Sequence, residues 1–155
     1  MLAAMWNNRG VFWPAFLAVL ALIVLWRGAA PERSILAVFI SMIALDRLYH
    51  LIVHSGAHFQ NVDLGHLTID LLSALVLLVV ALYANRQYPL WLSALQFVAV
   101  ISHIIRSISP EVDKGAYSIF MVAPSYLQIL VFAVGLSIHL QHQRKRGPYR
   151  SWRHY

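Results

Sequence analysis

The sequence predicts an all-α integral membrane protein, folded as a bundle of five transmembrane helices. The chain of 155 residues is 60% hydrophobic and only 12% charged, and its mean hydropathy is +0.66. Soluble domains carry roughly a quarter charged residues, so this composition excludes an ordinary soluble domain. At about 20 residues per span plus short loops, the chain has room for about five helices. We therefore expect residues 1–155 to form a single transmembrane domain.

Five apolar segments, separated by loops that carry turn-forming or charged residues, predict the individual helices. Pro14 falls in the first turn of the first segment, where proline is tolerated, and Pro89 opens the fourth. The segment Gly-Ala-Ala-Pro-Glu-Arg-Ser at 28–34 predicts a turn between the first two helices. The predicted spans are residues 11–26, 35–54, 63–84, 89–108 and 116–140, followed by a basic cytoplasmic tail at 141–155.

The orientation follows from the distribution of lysine and arginine, which are retained on the cytoplasmic side of a membrane. With the tail inside, the inner ends carry eight basic residues: Arg27, Arg33, Arg86, Arg144, Lys145, Arg146, Arg150 and Arg153. The outer ends carry four: Arg9, Arg47, Arg106 and Lys114. This asymmetry predicts an N-terminus outside and a C-terminus inside.

Charge and cysteine content exclude several functional classes. The formal net charge is +6, yet five of the twelve basic residues lie in the last twelve positions. A basic tail beside a span is typical of a segment that faces anionic lipid, so we expect no nucleic-acid partner. The chain has no cysteine, which excludes disulfides, thiolate metal sites and cysteine nucleophiles.

Ionisable side chains gather in the outer half of the predicted bundle. Asp46, His50 and His54 follow one another at a spacing of four residues, so they share one face of the second helix. The third helix carries Asp63, His66 and Asp70 on one face, and the fourth carries Gln96, His103 and Arg106 on one face. His58 lies in the loop between the second and third helices. Because short connections make these helices antiparallel neighbours, the three faces can converge on one pocket.

Three interpretations of this pocket stay open at the sequence level. In the structural one, Asp46, Arg47, Asp70 and Arg106 neutralise one another and the histidines form hydrogen bonds between helices. In the second, imidazole and carboxylate groups bind copper, zinc or iron; the ligands would come from Asp46, His50, His54, His66, Asp70 and His103. In the third, histidines from two helices are the axial ligands of a tetrapyrrole, either haem or bacteriochlorophyll; the pair would be His50 with His103, or His66 with His103.

The fifth and first helices differ in their polar content. Tyr117, Met121, Gln128, Gly135 and His139 form one stripe on the fifth helix. We expect this stripe to pack inside the bundle, with a close helix approach at the glycine and a hydrogen bond between helices from the glutamine. The first helix has no polar side chain from 11 to 26, so we expect it to face lipid or another subunit.

Two resemblances add to this interpretation. The segment Tyr88-Pro89-Leu90-Trp91, with Gln96, His103 and Tyr117 after it and Gly65 and Ile69-Asp70-Leu71 before it, resembles small bacterial membrane proteins of unassigned function. This resemblance implies a multi-pass protein of a bacterial inner (cytoplasmic) membrane. Asp46-x3-His50 with a further histidine on the next helix is similar, in ligand type, to the Asp/His/His copper site of membrane methane and ammonia monooxygenases.

These observations predict an accessory subunit of a larger bacterial membrane complex, either energy-transducing (respiratory or photosynthetic) or metal-dependent. Its partners would be the lipid bilayer and other membrane subunits, and we expect no enzyme activity from this chain alone. The alternatives are a membrane enzyme or carrier that depends on copper, zinc or iron, and a tetrapyrrole-binding membrane protein.

Overall fold

The part of the chain that the structure, a computed structural model, describes contains five helices. The structure describes residues 9–52, 64–109 and 114–153. The helices are α1 (Arg9–Arg27), α2 (Ala30–Ile52), α3 (Leu64–Tyr83), α4 (Tyr88–Ile108) and α5 (Lys114–Arg146). Within these described ranges no β-strand is present, which confirms the predicted all-α class.

Length and composition allow four of the helices to cross a membrane. These are α2, α3, α4 and the Val122–Arg146 part of α5. The apolar part of α1, Trp13–Arg27, is shorter. A fifth span therefore stays a prediction, as do the orientation of the bundle and the identity of the membrane.

The start of α2 lies five residues earlier than the sequence predicts. The helix begins at Ala30 rather than at 35, because Pro31 lies in its first turn, where a missing N–H costs nothing. The side chain of Glu32 reaches back, and its Oε2 accepts a hydrogen bond from the Ala29 N–H at 3.1 Å. A carboxylate at this position satisfies a free backbone donor and favours the helix dipole. The connection between α1 and α2 is thus reduced to Gly28 and Ala29.

The chain after α5 is folded against the bundle as far as residue 153 and is not a free tail. Helix α5 continues to Arg146, six residues beyond the predicted end, and is followed by Gly147 in a left-handed conformation (φ 77°). Residues 148–153, which we call the C-terminal strap, then turn back along the connection between α3 and α4. The Asn85 N–H donates to the Ser151 carbonyl at 3.0 Å, and the Arg153 N–H donates to the Tyr83 carbonyl at 2.7 Å. Glycine adopts a positive φ without strain, and this allows the chain to reverse its direction directly after α5.

The helices surround one apolar core. Helix α3 packs between α2 and α4, while α5 packs against α4 and also against α1. The rings of Phe39 and Phe132 meet edge to face with centroids 5.6 Å apart, among fully buried Ile35, Leu77 and Leu92. Many large apolar side chains point outward, as the lipid-facing surface of a membrane bundle requires.

The two ends of the bundle are named by their helix termini. The tail end contains the last turns of α1, α3 and α5, the first turns of α2 and α4, and the C-terminal strap. The opposite end contains the last turns of α2 and α4 and the first turns of α3 and α5.

Candidate metal centre

Three of the predicted ligands meet near the opposite end of the bundle. Asp46 and His50 are one turn apart on α2, and His66 lies on α3. Asp46 Oδ1 is 2.9 Å from His66 Nε2 and 3.5 Å from His50 Nε2. One ligand atom from each of the three residues lies within 4.8 Å of the other two. We call these three residues the Asp/His/His group.

An aromatic side chain and a glycine position the two histidines. The ring of Tyr49 lies 5.2 Å from the His66 ring and 5.7 Å from the His50 ring, centroid to centroid. The same ring packs on Gly65, where an added Cβ would overlap its Cε2 and Cζ atoms. Gly65 therefore lets the backbone of α3 approach α2 closely enough for His66 to reach Asp46.

The dimensions of the Asp/His/His group suit a small metal ion. Ligand atoms about 2.1 Å from a tetrahedral ion are separated from one another by about 3.4 Å. The 3.5 Å separation between Asp46 Oδ1 and His50 Nε2 matches this value, whereas the 2.9 Å separation from His66 Nε2 is that of a hydrogen bond and would lengthen around an ion. The side chains of Asp46, His50 and His66 are 41%, 32% and 19% exposed, so the group is also open on one side.

Two further predicted ligands, Asp70 and His103, pair with each other and do not belong to that group. Asp70 Oδ2 lies 3.3 Å from Nε2 of His103, which is fully buried. Asp70 Oδ1 accepts a hydrogen bond from Gln96 Nε2 at 2.9 Å. In turn, Gln96 Oε1 accepts one from Gln128 Nε2 at 2.9 Å. This chain of polar groups joins α3, α4 and α5, and it confirms the predicted hydrogen bond from Gln128.

The structure thus divides the predicted pocket. Asp46, His50 and His66 come together as expected, whereas Asp70 and His103 form a separate buried pair. His54, His58 and Asp63 lie outside the described residues. The structural interpretation is confirmed for two histidines, since His66 lies 2.9 Å from Asp46 and His103 lies 3.3 Å from Asp70 on neighbouring helices. Its pairing of Asp46 with arginine is not seen among the described residues, where Asp46 contacts His50 and His66 and Arg47 is exposed.

A second polar cluster, which the sequence does not predict, lies at the tail end. Glu32 is completely buried, and its Oε1 lies 2.7 Å from Arg86 Nε, although the Nε–H is not directed at that oxygen. The Tyr88 hydroxyl donates to Oε1 at 3.1 Å. Arg86 Nη1 donates to the carbonyl of Ser151 in the C-terminal strap at 3.1 Å. The buried charge of Glu32 is thereby compensated by an arginine that also holds the strap.

His139 on α5 completes this cluster. Its Nδ1 lies 3.0 Å from Arg86 Nη2 and 2.8 Å from the Tyr149 hydroxyl. A guanidinium group only donates, so Nδ1 must accept and the neutral ring carries its proton on Nε2, 3.9 Å from Glu32 Oε2. Burial raises the pKa of the Tyr149 hydroxyl, which therefore stays protonated. The second cluster therefore connects four parts of the chain at the tail end: α2, α5, the connection before α4, and the C-terminal strap.

Local sequence patterns do not predict this second cluster. They assign Glu32 to a turn and Arg86 to the basic residues of a membrane surface, because each is flanked by polar or turn-forming neighbours. Neither assignment takes into account that the ends of two helices can bury such residues.

The predicted close approach at Gly135 is confirmed: an added Cβ there would overlap the ring of Tyr88.

The chain was also compared with known proteins. No protein-family model, curated protein or solved structure matches it. Two resemblances therefore stay predictions: that to small bacterial membrane proteins and that to the copper site of the monooxygenases. The proposed function rests on the geometry of the chain.

Proposed function

We propose that this chain is a multi-pass membrane protein that binds a transition-metal ion through Asp46, His50 and His66. One observation carries the proposal: three ligand atoms, from two helices, converge within 4.8 Å. Two imidazoles and one carboxylate suit zinc, copper or iron. Because His50 and His66 both direct Nε2 at the same carboxylate oxygen, a single ion can replace the contacts that the three side chains now make with one another.

The geometry favours a metal ion over a tetrapyrrole. A haem or bacteriochlorophyll ligand must face a flat cavity that accommodates a macrocycle. His103, which both predicted axial pairs require, is completely enclosed and lies against Asp70. The Asp/His/His group, by contrast, already brings one ligand atom from each of its three residues within 4.8 Å of the other two, so small side-chain movements are enough to enclose an ion. Three protein ligands leave a fourth position for water, a substrate or a group from another chain.

Metal titration of the purified protein tests this function. We expect the wild-type protein to retain about one equivalent of zinc or copper, and His66→Ala to weaken the affinity by at least about 100-fold, since it removes a direct ligand and not only a supporting group. His142→Ala is the matched control, because His142 is a partly buried histidine at the tail end and its loss should leave metal binding unchanged. Less than one-tenth equivalent in native material, with no effect of a chelator on stability, would exclude the metal site.

A second proposal is that the chain works as an accessory subunit of a larger membrane complex. It is supported by α1, whose apolar side chains Leu22, Leu25 and Trp26 are largely exposed, and by the open fourth ligand position. Extraction of native membranes in a mild detergent should then yield this chain together with other membrane proteins in fixed proportion. Recovery as a stable monomer that binds metal would instead favour a metal carrier or enzyme that acts alone.

A further inference from the structure

A cleft at the tail end of the bundle has the composition of a lipid headgroup site. It has a volume of about 350 Å³ and lies between α1 and α5. Because these two helices run parallel, both of their last turns border it. The lining residues are Ile23, Trp26 and Arg27 from α1, and Leu140, Gln143 and Arg144 from α5.

The polar part of the cleft is basic. Arg27 and Arg144 approach it from the two helices, both side chains are exposed, and Gln143 adds an amide. The Arg27 guanidinium lies 4.7 Å from the centroid of the Trp26 ring, a cation–π contact that holds it at the cleft. Basic residues at helix C-termini often do no more than interact favourably with the helix dipole. In this protein, however, two of them from separate helices border one cavity.

The remaining part of the cleft is apolar. Ile23 and Leu140 lie about one turn before the two arginines, toward the middle of α1 and α5. Trp26 is a residue type that is enriched at the boundary between lipid and water. A ligand that fills this cleft must therefore combine a negative group with a hydrocarbon chain.

We propose that this cleft binds one anionic phospholipid. The phosphate lies between Arg27 and Arg144 and accepts a hydrogen bond from Gln143, while an acyl chain lies along Ile23 and Leu140. Basic pockets between transmembrane helices bind anionic headgroups in this manner. The proposal does not depend on the metal centre, which lies at the opposite end of the bundle.

Lipid retention measured by native mass spectrometry tests the proposal. The probes are phosphatidylglycerol and phosphatidylcholine with identical acyl chains, each added to the intact protein in detergent. We expect one phosphatidylglycerol to bind at least tenfold more tightly than phosphatidylcholine. The Arg27→Gln/Arg144→Gln variant should bind phosphatidylglycerol about 30-fold more weakly, the change expected for two basic residues at a lipid surface.

The control variant is Lys145→Gln/Arg146→Gln, which removes the same charge from exposed positions that do not line the cleft. It should weaken binding by less than threefold. Equal losses in the two double variants would show a diffuse electrostatic attraction and would overturn the proposal. Equal binding of the two lipids by the wild-type protein would overturn it as well.

Two further measurements complete the test. Glycerol phosphate at millimolar concentration should not displace the lipid; displacement would show a site for free anions and would contradict the role of the acyl chain. Gln143→Glu places a carboxylate beside the arginines and should also weaken phosphatidylglycerol binding by repulsion. Since Gln143 is only partly buried, this variant keeps the proposal testable if the double variant fails to fold.

Discussion

Replacing Arg86 by glutamine is expected to lower the free energy of unfolding by about 3–5 kcal/mol, the cost of leaving a buried charge without its partner. The side chain of Glu32 is completely buried, and that of Arg86 is only 5% exposed. The substitution also removes the donors to Ser151 and His139. Unfolding in mixed micelles, followed by circular dichroism, measures the change.

Arg33→Gln is the matched control for this prediction. It removes the same charge one residue after Glu32 on α2, but from an exposed side chain, so its effect should stay within about 0.5 kcal/mol. The double variant Glu32→Gln/Arg86→Gln should recover part of the loss, because the uncompensated carboxylate is gone. A loss for Arg86→Gln no larger than that of the control would show that Glu32 is not a buried ion in the folded protein.

The second large effect is expected at Gly135. The Cβ of an alanine there would overlap the ring of Tyr88, whose hydroxyl is fixed by its hydrogen bond to Glu32. Overpacking of this kind costs about 1–3 kcal/mol, and displacement of the ring adds about 1.5–3 kcal/mol for the lost hydrogen bond to a charged group. We expect Gly135→Ala to destabilise the protein by about 2.5–6 kcal/mol, the sum of these two costs, in the same unfolding assay.

A double variant separates the overlap with the Tyr88 ring from the difference in helix propensity between glycine and alanine. Once Tyr88 is replaced by alanine, the space beside Gly135 is open. Gly135→Ala should then stabilise the protein by up to about 1 kcal/mol, because alanine favours a helix over glycine by that amount. An equal cost in both backgrounds would mean that the ring of Tyr88 does not decide the packing of α4 on α5.

Over the residues that the structure describes, the sequence predicted the five helices and most of their limits correctly, because long apolar segments are bounded by charged and turn-forming residues. It was inaccurate at the start of α2 and the end of α5. In both cases the helix continues through residues that resemble a loop in isolation: Pro31 is acceptable in a first turn, and the basic residues 144–146 favour a helix C-terminus.

The candidate site was predictable only in part. Periodicity placed Asp46 and His50 on one face of a helix and brought His66 to the neighbouring helix. Periodicity could not distinguish a single pocket of six ligands from the two separate groups observed. That distinction depends on which neighbouring helix each side chain of α3 faces: His66 meets Asp46 on α2, whereas Asp70 meets Gln96 and His103 on α4.

The sequence by itself determined that the chain is helical, apolar enough to span a membrane, and rich in imidazole and carboxylate groups near one end. These properties are set by composition and by local spacing. Only the tertiary structure decided which polar residues meet: Glu32, Arg86 and His139 are far apart along the chain, yet they share one buried cluster. A buried charge must find its partner wherever the packing of the helices places one, and that packing depends on long-range contacts which no local pattern encodes.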